Sequence, residues 1–156
     1  MDTNKMPTQR EIFLAEMECT VPWHRLRALV EPAHSALRRT GPLELDRMLR
    51  IYFLQRWFRL TDEAVREAMC DSMSMRSFVC LSAEGVPRAS EIRRFRVLLD
   101  ETGLAGSIVQ AADRHLRTLG VAVAPGAIVD AALIHASNAH AQVPYSRVID
   151  TAGVAG

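Results

Sequence analysis

Apolar residues recur every three or four positions along most of the chain, and the spacing changes after Pro125–Gly126. Thr8 is a good N-cap, and REIFLAEMEC after it predicts a first helix. Ile12, Leu14, Ala15, Met17 and Cys19 give that helix only a loose apolar face. Pro22 suits the first turn of a second, short helix, WHRLRALVE, ending near Pro32. HSALRRTGP reads as a polar link. The strongest signal runs from Pro42 to Phe58, PLELDRMLRIYFLQRWF. Leu45, Met48, Leu49, Tyr52, Phe53, Leu54 and Trp57 form a wide apolar arc, and Glu44, Arg47, Arg50, Gln55 and Arg59 keep to the other side. So apolar a helix belongs at the centre of a bundle.

Thr61 is placed to cap the next helix, DEAVREAMCD, whose first-turn acids suit the helix dipole. SMSMRSFVCL reads as a turn leading to a break at Gly85–Pro87. Ser90 is expected to cap EIRRFRVLLDE, with Ile92, Phe95, Leu98 and Leu99 inward and Arg93, Arg94 and Arg96 outward or along the flank. Gly103 ends it. A last helix, LAGSIVQAADRHLRTL, would bury Leu104, Ile108, Ala112, Leu116 and Leu119, pair Asp113 with Arg117, and stop at Gly120.

After Pro125–Gly126 comes AIVDAALI, a short run that is apolar on both faces. That is the pattern of a buried strand, from about residue 127 to 134. The tail beyond it, SNAHAQVPYSRVIDTAGVAG, has no period. The expected fold is therefore mainly α: a helical domain over residues 8–120, one orphan β-strand within 125–136, and a disordered or non-native tail over 137–156. An orphan strand has unpaired edges, so it must pack onto the helices, pair with another copy or promote aggregation.

Composition narrows the function classes. The chain carries 19 Lys+Arg against 18 Asp+Glu, a formal charge of +1, which selects neither for nor against a polyanionic partner. Lys5 is the only lysine. Arginine suits bidentate contact with phosphate and guanine, although codon usage in a GC-rich genome accounts for the bias equally well. The three cysteines, Cys19, Cys70 and Cys80, are widely spaced with no CxxC pair. A disulfide framework or zinc site is thus not expected, and the chain reads as cytoplasmic and reduced. The N-terminus has no signal-peptide core, and no apolar run is long enough to span a membrane. The five histidines show no metal-binding spacing, and there is no glycine-rich phosphate loop or GxSxG elbow.

Two features carry candidate chemistry. Asp130 is a single carboxylate inside the apolar strand, on one face with Ile128, Ala132 and Ile134. An ionised acid there is costly unless partnered. It is either a strand-end residue satisfied by solvent, backbone or an arginine, or a ligand for a divalent ion. The second feature is the arginines. Arg47, Arg50, Arg56 and Arg59 follow helical spacing, and Arg88, Arg93, Arg94 and Arg96 cluster around the later helix. They form either a solvated face with ion pairs to Asp46, Glu91 or Asp100, or a surface that contacts phosphates.

The run PLELDRMLRIYFLQRWFRLTDEAVREAMCDSMSMRSF, then EIRRFRVLLDETGL, then GAIVDAALIHA resembles the amino-terminal part of bacterial insertion-sequence transposases of the IS-five group. The resemblance covers about residues 10–137, in order. Leu43, Leu49, Arg50 and Trp57 match the family pattern, as does FR-x-LL-[DE] at Phe95–Asp100. Arg88 stands where the family has an acid, Ala131 and Ala132 where it has threonine after the aspartate, and SNAHAQVPYSRV where it is rich in Ser, Thr and Lys.

The resemblance implies a helical region ahead of a ribonuclease-H-like catalytic domain of the DDE type. Its first strand carries the first acid of the triad, and Asp130 falls on that position. It further implies magnesium or manganese held by that acid and two later ones, in metal-dependent DNA cleavage and strand transfer. Asp150 is the only acid that follows Asp130, and it fits neither later position. The expectation is a truncated, catalytically inactive transposase that binds no metal by itself. Its expected partner is DNA bearing the element's terminal inverted repeats, contacted by Arg47, Arg50, Arg56, Arg88, Arg93, Arg94 and Arg96. A homodimer, or a mixed dimer with full-length transposase, is expected as well. Two other readings stand beside this one: a non-enzymatic remnant that binds DNA or inhibits transposase, and an inert helical interaction domain.

Overall fold

A computed structural model of the chain describes residues 6–36 and 42–126. The expected strand with Asp130, and the tail, lie outside the described residues. Within them the fold is mainly helical, as expected, with no β-strand. In chain order the helices are α1 (Gln9–Thr20), α2 (Trp23–Ala36), α3 (Pro42–Phe58), α4 (Asp62–Asp71), α5 (Met73–Val79), α6 (Ala89–Glu101) and α7 (Leu104–Thr118), with a single 3₁₀ turn at Ala83–Gly85.

Thr8 and Thr61 cap as their chemistry suggests, but Ser90 does not: α6 starts one residue earlier, at Ala89, with Arg88 as its N-cap and no side-chain cap bond. The Thr8 hydroxyl accepts from the Glu11 N–H at 3.1 Å, and the Thr61 hydroxyl accepts from the Ala64 N–H at 3.1 Å. Each satisfies a backbone donor that the first helical turn leaves unpaired. Gly103 and Gly120 sit at φ 71° and 73°, a left-handed conformation that glycine adopts without steric cost.

Helix α3 is central. It packs against α2, α4, α5 and α6. Leu45, Met48, Leu49, Ile51, Phe53, Leu54, Trp57 and Phe58 are all buried, so the apolar surface runs nearly all round the helix. Trp57 meets Phe13 edge-on at 5.2 Å, Phe53 at 5.3 Å and Phe78 at 6.0 Å, tying α1, α3 and α5 together. Edge-to-face pairs of this kind contribute about 0.5–1.5 kcal/mol each beyond burial.

Four other local expectations are corrected. Helix α2 does not end near Pro32 but runs through it to Ala36. Pro32 removes one donor to the Ala28 carbonyl; both residues are exposed, where losing a donor costs least. Val30 and His34 are buried on the opposite side, His34 edge-on to Phe95 at 6.4 Å. SMSMRSFVCL is not merely a turn, because α5 forms within it. Ser72 ends α4, and its hydroxyl accepts from the Met75 N–H at 3.3 Å to start α5, whose Met75, Phe78 and Val79 are buried. In α1 the buried residues are Phe13, Leu14 and Met17, while Ile12 is 54% exposed. Leu119 lies beyond the last turn of α7 and is 46% exposed rather than buried.

After α7 the chain turns back across the bundle. Val121 and Val123 are buried, and the Gly126 N–H donates to the Arg56 carbonyl at the end of α3 at 2.9 Å.

Candidate nucleic-acid interface

The seven candidate arginines do not share one environment. Arg50 is inside the fold, 6% exposed. Its Nε donates to Asp46 Oδ2 at 3.0 Å, Nη1 to the Phe78 carbonyl at 2.9 Å and to Glu18, and Nη2 to Glu18 Oε1 at 3.2 Å. Its guanidinium stacks 4.6 Å from the Trp23 ring centroid and 5.2 Å from that of Phe78. Burial alone would lower its pKa, but its hydrogen bonds to Glu18 and Asp46 outweigh that and raise the value. Arg50 therefore locks α1, α3 and α5 together, and that geometry does not present it to a phosphate.

Arg96 is also engaged, but at the surface. Its Nε and Nη2 form a two-pronged contact with Asp62, at 3.2 Å to Oδ1 and 2.8 Å to Oδ2. Gln55 Nε2 donates to the same Oδ1 at 2.9 Å. The Arg96 hydrogen bond is the main cause holding the Asp62 carboxyl below its ordinary pKa, against the opposing effect of burial.

The remaining candidates carry no side-chain ion pair among the described residues. Arg88, Arg93 and Arg94 are exposed, Arg88 at the N-terminus of α6 and the other two on its outer face. Arg47 and Arg88 line one recess of about 310 Å³, shared with Glu44, Glu84 and Glu91. Arg56 and Arg96 line another, larger cleft of about 600 Å³ at the C-terminal end of α3, with Tyr52, Gln55, Asp62 and Glu63.

Arg59 follows the helical spacing of Arg47, Arg50 and Arg56 but is not among the seven arginines expected to contact DNA. It lies in the larger cleft with Arg56 and Arg96. Its backbone is left-handed, φ 53°, and the Leu60 N–H returns to the Gln55 carbonyl at 3.0 Å, a helix stop that glycine normally serves. The sequence signal is an arginine where a stop residue belongs, directly before the Leu60–Thr61 cap.

The described residues do not fit a divalent metal: among them no group of three or more His, Cys, Asp or Glu could hold one. Asp130, the acid expected to be a metal ligand, lies outside them.

The family model for the transposase domain DUF772 matches residues 2–98 of the chain. The chain belongs to this transposase-domain family. The matched stretch of the transposase domain includes Arg47, Arg50, Arg56, Arg59, Arg88, Arg93, Arg94 and Arg96, and stops inside α6. No solved structure matches the chain. No helix among the described residues of the transposase domain is long and apolar enough to cross a membrane.

Proposed function

We propose that this helical transposase domain binds the DNA backbone, as part of a DDE-type transposase of the IS-five group acting on terminal inverted repeats. The observation that carries the reading is a division among arginines. Ion pairs take up Arg50 and Arg96, whereas Arg93 and Arg94 on α6, and Arg88 at its N-terminus, have no ion pair among the described residues. Unneutralised guanidiniums on one helix meet phosphates readily, because releasing the DNA's condensed counterions drives such contacts. Phosphate contacts fix register and leave sequence choice to base contacts. In this reading Asp130 is the first of the acids that hold magnesium or manganese, as the resemblance implies, and the arginines position DNA without cutting it.

The test is fluorescence anisotropy of the purified chain on duplex carrying the element's terminal repeats, against scrambled duplex, over rising salt. Binding that weakens linearly in log salt is expected. Replacing Arg88, Arg93 and Arg94 together with glutamine should flatten the slope by about three contacts' worth. Absence of binding at low salt, or a slope untouched by the triple substitution, refutes the reading.

A further inference from the structure

We propose that the cleft at the C-terminal end of α3 is a seat for a single phosphate, which Arg56 and Arg59 meet directly and Arg96 flanks. The DNA reading above supplies the phosphate as one of the duplex backbone.

Three observations converge on this cleft. The first is unbalanced charge. Neither Arg56 nor Arg59 has a side-chain hydrogen bond or ion pair among the described residues, and both line the same space of about 600 Å³. Arg96 enters it already oriented, because Asp62 holds its fork and Gln55 holds Asp62. Asp62 offsets Arg96, so the excess over Glu63 comes from Arg56 and Arg59. That balance suits one phosphate rather than a row of them.

The second is backbone geometry. A left-handed residue with a side chain carries a cost of about 1 kcal/mol or more that glycine avoids. Arg59 accepts it at φ 53°, and its side chain lines the cleft. The chain thus trades some stability for a guanidinium at this point.

The third is what supports Arg59 from behind. A Cβ on Gly126 would come within 3.1 Å of Arg59 Nε, and Gly126 itself sits at φ 69°. Its N–H is bonded to the Arg56 carbonyl, and Pro125 lines the cleft. The segment returning from α7 therefore packs against the Arg59 side chain and ties down the backbone of Arg56, and Asp130 follows Gly126 by four positions in the sequence.

The experiment compares the full chain with Arg59→Gly and Arg56→Gln. DNA binding is measured by anisotropy over a salt series, and thermal unfolding is followed in inorganic phosphate against chloride at matched ionic strength. Arg59→Gly should melt at or above the wild-type temperature, since glycine relieves the left-handed strain. It should nevertheless bind duplex about three- to tenfold more weakly, with a log-log salt slope lower by about one. Arg56→Gln should lose the same contact, and both variants should lose the stabilisation that phosphate gives the wild type. Unchanged salt slopes and unchanged phosphate stabilisation in both variants would overturn the seat while leaving the DNA reading intact. Phosphate stabilisation that depends on Arg56 and Arg59, in a chain that binds no DNA, would overturn the DNA reading and support the seat.

Discussion

Arg50 and Arg56 occupy the same helix, six positions and about 240° of rotation apart. Their surroundings differ completely. Around Arg50, Glu18 from α1, Asp46 from α3 and the Phe78 carbonyl from α5 converge, and Trp23 and Phe78 cover the guanidinium. Around Arg56 the cleft is open and shared with Arg59, Arg96, Asp62 and Glu63; Asp113 acts on it electrostatically, but no acid forms an ion pair with its side chain among the described residues. A cation surrounded by acids and aromatic faces is a structural tie. A cation with no ion pair of its own, in an open cleft, is available to an anion from outside. The residue type is the same in both places; what differs is which long-range neighbours the fold delivers.

The largest test of this contrast is Arg50→Met. The side chain fills similar space, but four donated hydrogen bonds disappear and the buried Phe78 carbonyl loses a partner. Breaking a buried ion pair by removing one partner costs about 3–5 kcal/mol. Glu18 is half-exposed and can rehydrate, which places this variant near the lower end. Urea unfolding should show the loss, while the salt slope of DNA binding by the folded fraction should match wild type. A stable Arg50→Met chain with a flattened slope would dissolve the distinction between the two arginines.

The contrast also explains what was legible in the sequence. The bounds of α3 and α4 were readable because Pro42, Thr61 and first-turn acids are local signals that act within one turn. Helix α5 was not, because Ser72 closes one helix and opens the next, and two turns are too short to show a period. The persistence of α2 past Pro32 depends on Val30 and His34 being buried by distant partners, which no local rule contains. The arginines failed to sort for the same reason. Glu18 lies 32 residues from Arg50, and Asp62 lies 34 from Arg96. Helical spacing places a side chain on a face, but only tertiary packing decides whether an acid waits there. Arg59 sorts by its position as a helix stop before the Thr61 cap, but its left-handed backbone shows only in the folded chain.

A smaller effect is expected from Asp62→Asn at the cleft. The two-pronged contact with Arg96 loses its charge, and the Gln55 bond weakens. Arg96 is 38% exposed, so solvent screens much of the pair, and a cost of about 1 kcal/mol is expected at neutral pH. The pH dependence supplies a sign. The folded-state pKa of Asp62 is lowered, chiefly by Arg96. The folded chain therefore binds that proton less tightly than the unfolded chain does. Its stabilisation is complete above the ordinary carboxylate pKa of about 4 and is lost as pH falls through the depressed folded value. Urea midpoints for wild type and Asp62→Asn should differ at pH 7 and converge in acid. A constant gap across that range would mean that the carboxylate charge contributes nothing.

The smallest effect, and the opposite sign, belongs to Asp113 on α7. Burial raises its pKa, and the opposing influence of Arg56 and then Arg117 is too weak to reverse that. At neutral pH the ionised side chain is thus a liability to the folded state. The folded chain holds this proton more tightly than the unfolded one, so stability falls as pH rises through the raised folded value. Asp113→Asn should therefore stabilise the chain at pH 7, by no more than about 0.5 kcal/mol for so partly buried a site. The gain should vanish in acid, where the wild-type carboxyl is protonated in both states. Asp62 and Asp113 are thus opposites, one acid neutralised by a paired arginine and one whose burial outweighs the pull of Arg56 and Arg117. If Asp113→Asn destabilises instead, Arg56 is paired with Asp113 in solution, and the case for an arginine free to meet phosphate fails at its first residue.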